Sequence, residues 1–184
     1  MLRCLTLVIV LQLIISCSNN NLSDQSPNIV FINIDDMGWN DVSFMGSEYY
    51  ETPNIDSLAE NGMVFTQGYA AAANCAPSRA SINTGKWTTR HQIYTVSNSD
   101  RGESKHRKLI PIKNTTTLDK KFTVIAQKLK ESGYTTCHSG KWHLSKNPLD
   151  YGFDVNIAGR HIGHPASYYH PYGKDNSPYK VNIS

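Results

Sequence analysis

The run Asn28-Ile29-Val30-Phe31-Ile32-Asn33-Ile34 constrains the fold more than any other stretch, because it is almost unbroken in apolar residues and is followed at once by Asp35-Asp36. A half-exposed strand alternates apolar and polar positions. One without alternation is predicted to be buried on both faces, as in a parallel sheet. Helical signals follow. Segment 52–60 has Pro53 near its start and Asn61-Gly62 as its stop, and 77–84 starts at a proline and ends at Gly85. In 122–131, Phe122, Ile125, Ala126 and Leu129 fall at i, i+3, i+4 and i+7 before Gly133. Segments 63–65 and 134–138 read as further strands. This alternation predicts an α/β fold, a doubly wound sheet with flanking helices. Between them, 88–117 is polar and reads as a long surface loop, and the region after Asp150 is rich in Tyr, His, Gly and Pro without a clear period.

A chain of 184 residues suits one compact unit. Lys and Arg number 18 against 15 Asp and Glu, a net +3, and the densest basic cluster, Lys105 to Lys108, is short. That distribution argues against a nucleic-acid partner. The absence of a 20- to 50-residue period argues against a solenoid or propeller. At the N-terminus, Arg3 precedes an apolar run from Leu5 to Ile15 that is too short to cross a bilayer and suits a secretory signal. It ends in Ile14-Ile15-Ser16-Cys17, which resembles a bacterial lipobox. The expectation is a lipoprotein-type signal over 1–16, a lipid anchor at Cys17 as the sole membrane attachment, and a polar tether over 17–27. The mature protein would then sit in the bacterial periplasm or on the outer membrane or cell surface. Plain secretion with cleavage near Ser16 is the alternative.

Two cysteines remain in the body, Cys75 and Cys137, and an exported protein could join them in a disulfide. Other chemistry competes for Cys75. In Cys75-Ala76-Pro77-Ser78-Arg79, a proline at the first helical position would put Cys75 just ahead of a helix N-terminus, where free N–H groups favour an anion. Arg79 adds a permanent cation. Asp35 and Asp36, at the C-terminal edge of a strand, stand where open α/β sheets hold ligands and offer oxygens to a hard divalent ion. Their plain reading is a solvated turn. A thiolate matches such an ion poorly, and the mismatch vanishes if the sulfur is replaced by oxygen.

Cys75-Ala76-Pro77-Ser78-Arg79 with Thr84-Gly85, the Asp35-Asp36 pair and Gly140-Lys141-Trp142-His143 together resemble type I sulfatases, in family order. Leu129, Gly133 and Tyr134, and the Gly152-Phe153-Asp154 turn, fit the same pattern. The resemblance implies an alkaline-phosphatase-like, mostly parallel sheet, here incomplete. It implies a formylglycine made from Cys75 by a formylglycine-generating maturation enzyme, and Ca2+, with Mg2+ as the alternative, held by Asp35, Asp36 and position 75. One hydroxyl of the hydrated aldehyde would attack the sulfur of a sulfate ester on a sulfated carbohydrate, and the second would expel sulfate. Arg79 would hold the nucleophile, Lys141 would contact a sulfate oxygen, and His143 would bond the hydrate. Lys141 and His143, two apart on an extended chain, would share a face with Trp142 turned away.

Ser78 is expected to serve maturation or helix capping, and Cys137 to be a buried small apolar residue. Lys86 and His91 are expected on a solvated loop face, and His161, His164, Tyr168, Tyr169 and His170 either to contact sugar or to form a polar loop. The family pattern continues with a second Asp-Asn or Asp-Gln pair and further His and Lys residues. Asp175-Asn176, in a polar tail, does not match it. Residues 28–184 are therefore expected to be the N-terminal part of a catalytic domain, inactive or nearly so alone. A phosphoester or phosphonate ester hydrolase and a non-catalytic envelope protein that binds sulfated glycans are the rival readings.

Overall fold

The computed structural model describes residues 26–165 and 167–169, together with the backbone of 181–183. The expected signal, Cys17, most of the tether, His170 and Asp175-Asn176 lie outside the described residues. The chain divides into two units, one up to Ile34 and one from Asp35 on.

In the first unit, 26–34 has no regular secondary structure and is exposed throughout, with Val30 at 83% and Phe31 at 70%. The buried strand predicted over 28–34 is thus corrected. A strand apolar on both faces needs neighbours to bond its backbone and layers to cover its sides, and among the described residues no strand pairs with it. The same reason corrects 63–65, which is exposed and unpaired.

The second unit contains α1 (Pro53–Asn61), α2 (Cys75–Thr84), α3 (Thr88–His91) and α4 (Ile125–Glu131), with 3-10 turns at Ser43–Met45, Ser104–His106 and Pro148–Tyr151. Its three-stranded sheet comprises β1 (Cys137–Ser139), β2 (Val155–Ile157) and β3 (Val181–Ile183). β1 and β2 are parallel with His138 opposite Asn156, and β2 and β3 are antiparallel. The strand predicted over 134–138 begins three residues later. Thr136 is instead tied to the turn before β2, where Asp154 accepts hydrogen bonds from the Thr136 amide (2.9 Å) and hydroxyl (3.0 Å). Lys130 donates to the same carboxylate, and these bonds hold Asp154 down to a pKa of about 2.

α4 starts at Ile125, three residues later than the periodicity suggests, because the Gln127 side chain accepts the Val124 N–H (2.9 Å) and closes the first turn. Val124 and Ala126 face the core while Ile125 is 54% exposed. The core gathers Ala76 and Ala80 of α2 with Ile93, Leu118, Val124, Ala126, Trp142, Leu144 and Tyr151, flanked by Phe122 and Phe153. Trp142 sits at its centre, 1% exposed, with its ring 5.6 Å from Tyr151 and 5.7 Å from Phe153. Its indole N–H donates to Ser145 Oγ (2.7 Å), so the polar edge is also satisfied.

Segment 88–117 is more than a surface loop: it forms α3 and a 3-10 turn, and it buries Ile93 completely. His91, expected on a solvated face, is 2% exposed. Its Nδ1 accepts the Ile93 amide (3.2 Å), which leaves Nε2 to donate to Ser81 Oγ on α2 (3.0 Å). Burial lowers the His91 pKa below 6.5. In the unfolded chain His91 takes up a proton near pH 6.5 that the folded chain refuses, so stability is expected to fall as pH drops through that value. Urea unfolding at about pH 7.5 and about pH 5.5 checks this. The midpoint should be lower at the acid pH, and His91→Gln should flatten that part of the dependence.

Candidate active site

The site is built where three distant segments meet. The first is the Asp35-Asp36 turn, in which Asp36 takes φ 56°, a left-handed conformation that Asp tolerates. The second is the start of α2. Asn74, extended at φ −108°, precedes the helix, and Cys75 is its first residue. Pro77 is therefore third in the helix rather than first, still within the first turn, where a missing N–H costs nothing. At the other end Thr84 donates back to the Ala80 carbonyl (2.6 Å), and Gly85 at φ 63° caps the helix through its amide to Ser81 (2.8 Å). The Thr-Gly pair thus terminates the helix that carries position 75.

The third segment follows β1. Gly140 (φ 91°) and His143 (φ 61°) are both left-handed, so 140–143 is a tight bend and not an extended strand end. The extended geometry expected for 141–143 is thus corrected: the bend drives Trp142 into the core and turns Lys141 to Asp35. Lys141 Nζ donates to Asp35 Oδ2 (2.5 Å). Arg79 Nη2 donates to Asp35 Oδ1 (3.2 Å), while its Nη1 donates to the Lys141 carbonyl (2.5 Å). Asp35 thereby bridges two cations, and Arg79, 8% exposed, staples the helix to the bend. Burial alone would raise the Asp35 pKa, but the hydrogen bonds and charges of Lys141 and Arg79 outweigh it and hold the group ionised below 3.8.

Asp35, Asp36 and Cys75 bring one donor atom each within 4.8 Å of one another. Ligands about 2.3–2.6 Å from a Ca2+ lie at most about 5.2 Å apart, so the three fit around one such ion. A carboxylate has four lone-pair sites, so Asp35 can serve its cations and still ligate. The Cys75 sulfur is a soft donor beside two hard carboxylates. Cys75 and Cys137 are both free, and Cys137 is exposed rather than buried, because the short strand β1 leaves that face uncovered.

His143 stands at the edge of this group. Its Nδ1 is buried and without a hydrogen-bond partner. Burial, then the charges of Lys141 and Arg79, lowers its pKa below 6.5, so its ring is neutral at physiological pH. The ring is held from behind by residues the sequence did not single out. Buried Asn156 exchanges two hydrogen bonds with Gly159 (both 2.9 Å), and the Arg160 carbonyl accepts the His143 amide (2.9 Å). Gly163 packs so tightly that a Cβ there would lie 2.6 Å from His143 Cε1. Lys86, His161, His164, Tyr168 and Tyr169 are exposed, and no hydrogen bond or ion pair links them to Asp35, Cys75 or Lys141 among the described residues.

Residues 27–182 match the Sulfatase family profile. The chain belongs to the sulfatase family. The sulfatase chain is 36% identical over 159 residues to N-acetylgalactosamine-6-sulfatase of Mus musculus, a match covering 84% of this chain and 28% of that protein. It is 35% identical over 159 residues to a sulfatase of Formosa agariphila, covering 79% of this chain and 29% of that protein. Among solved structures, Ps i-CgsB aligns with a TM-score of 0.66 at 31% identity, covering 86% of this sulfatase chain and 36% of that one. Its complex with k-i-k-neocarrahexaose aligns at 0.61 and 28% identity, covering 80% of this chain and 34% of that one. These matches place the fold in the alkaline-phosphatase-like α/β class. The sulfatase chain spans a little over a quarter of the length of the relatives it matches.

Proposed function

We propose that this chain carries the nucleophile side of the active centre of a sulfuric ester hydrolase acting on a sulfated carbohydrate. One observation carries the reading: Arg79 and Lys141, the latter 106 positions away, converge through hydrogen bonds on the Asp35 carboxylate, and the Cys75 sulfur lies within 4.8 Å of an oxygen of Asp35 and of Asp36. The names of the relatives support sulfate esters as substrate, and the neighbour solved with k-i-k-neocarrahexaose supports a carbohydrate.

In this reading position 75 is converted by a maturation enzyme to formylglycine, whose hydrate is the nucleophile. A Ca2+ or Mg2+ held by Asp35, Asp36 and position 75 would supply charge to ionise that hydrate and to offset the sulfate. The chain's own residues do the rest. Arg79 fixes Asp35 relative to the start of α2, so the nucleophile and the acids keep one geometry. Lys141, 16% exposed at its side chain, has its ammonium at the mouth of the site, where it can bond a sulfate oxygen as charge develops in the transition state. Neutral His143, with Nδ1 free to accept, can take or hold a proton from position 75. A lipid anchor at Cys17 behind a signal over 1–16 would place this chemistry in the bacterial envelope.

The test uses the full-length protein co-expressed with a formylglycine-generating enzyme. Mass spectrometry of the peptide bearing Cys75 should show loss of sulfur and two hydrogens and gain of one oxygen, and aryl sulfate should turn over faster than aryl phosphate. An unmodified Cys75 would sink the reading. Faster phosphate turnover would replace it with a phosphoester hydrolase.

A further inference from the structure

A cleft of about 420 Å³ opens between the end of α3 and segment 112–115, lined by Gln92, Tyr94, Ile112, Lys113 and Thr115. We propose that this cleft is a subsite for a second sulfated sugar unit of the substrate, separate from the ester that is cleaved. The volume lies within the range of small-molecule pockets, about 300–1,000 Å³. Its lining has the chemistry of a sugar site. Half-buried Tyr94 and exposed Ile112 give an apolar wall for a pyranose face, and Gln92 and Thr115 give an amide and a hydroxyl for its hydroxyl groups. Lys113 supplies the cation. Among the described residues no carboxylate lies within ion-pair distance of it, unlike Lys105, Lys120 and Lys121, so its charge is available to a sulfate.

The cleft is also pre-formed. The Thr115 amide donates to the Gln92 carbonyl (2.9 Å), joining the two walls. Asn114 stands behind them: its Oδ1 accepts the amides of Tyr94 (2.6 Å) and Thr95 (3.1 Å), and its Nδ2 donates to the carbonyls of Thr95 (3.1 Å) and Ser97. Ser99 Oγ donates to the Ile112 carbonyl and closes the rim. A wall fixed by so many bonds loses little freedom when a ligand enters. Gln92 takes φ 61°, a left-handed conformation that glycine would adopt without cost, and so keeps a side chain at the cleft against a local strain. One link joins the cleft to the reaction. Asn74, immediately before Cys75, donates from Nδ2 to Thr95 Oγ1 (3.1 Å), the residue after Tyr94.

The inference rests on the sulfatase reading, so two measurements separate them. In the matured full-length protein, Lys113→Ala and Tyr94→Ala should raise KM for a sulfated oligosaccharide about tenfold relative to KM for a small aryl sulfate, a difference of about 1.4 kcal/mol. Equal changes on both substrates, or none, would overturn the subsite. Independently of turnover, the full-length Cys75→Ala protein is titrated calorimetrically with the sulfated oligosaccharide and with its chemically desulfated form. Adding Lys113→Ala should weaken the sulfated ligand about tenfold and leave the desulfated one alone. A parent protein that turns over neither substrate while showing this binding difference removes the sulfatase reading and keeps the cleft. Normal turnover with no binding difference removes the cleft alone.

Discussion

Lys141→Ala in the matured full-length protein is expected to lower kcat on an aryl sulfate by about 10²–10³, the usual cost of one donor aimed at developing charge. Two effects add. The substrate loses an ammonium, and Asp35 loses the shorter of its two ionic hydrogen bonds, 2.5 Å against 3.2 Å for Arg79. With only Arg79 opposing the burial that raises its pKa, Asp35 should stay ionised down to a less acidic pH than in the parent. The acid limb of the kcat/KM profile should therefore move to higher pH as the rate falls. A rate loss without that movement would mean that Lys141 serves the substrate and not Asp35. Unchanged kcat would remove Lys141 from the catalytic group altogether.

Trp142→Ala should be the most damaging single core substitution, costing about 3–5 kcal/mol. The indole is enclosed by Tyr151, Phe153 and His138, and its removal leaves a cavity at their common centre. Ser145 loses the N–H that its hydroxyl accepts. At a few degrees per kcal/mol, the unfolding midpoint should fall by on the order of 10 °C. Because Trp142 lies between Lys141 and His143, activity at low temperature should fall with it. Trp142→Phe, which keeps an aromatic ring, should recover most of the stability. A loss below about 1 kcal/mol would show that the centre of the core lies elsewhere.

What was legible in the sequence divides along physical lines. The helix at Cys75, its stop at Gly85 and the turn at Asp35-Asp36 depend on local signals: a proline, a glycine that tolerates positive φ, and a polar pair after an apolar run. These are read correctly to within two residues. The strands were not, because strand status depends on partners. Residues 28–34 have the composition of a doubly buried strand and remain exposed, whereas Val155–Ile157, with little signal of its own, pairs on both sides. His91 looked solvated because its neighbours are polar, and only the fold reveals that it faces Ser81. Within the site, the family motifs supplied Asp35, Asp36, Cys75, Arg79, Lys141 and His143. The supports near His143, the Asn156–Gly159 hydrogen bonds and the close approach of Gly163, carry no family motif to mark them.

Asn114 also has a practical side. Asn114-Thr115-Thr116 is an acceptor triplet for N-linked glycans, and both hydrogens of its amide nitrogen are already committed, to Thr95 and Ser97. A eukaryotic secretory host attaches such glycans while the polypeptide is still emerging, before these bonds can form, and one hydrogen would be lost to the sugar linkage. Recombinant material made that way would carry a bulky graft at the hinge of its own loop, so bacterial production is the sounder source of native protein.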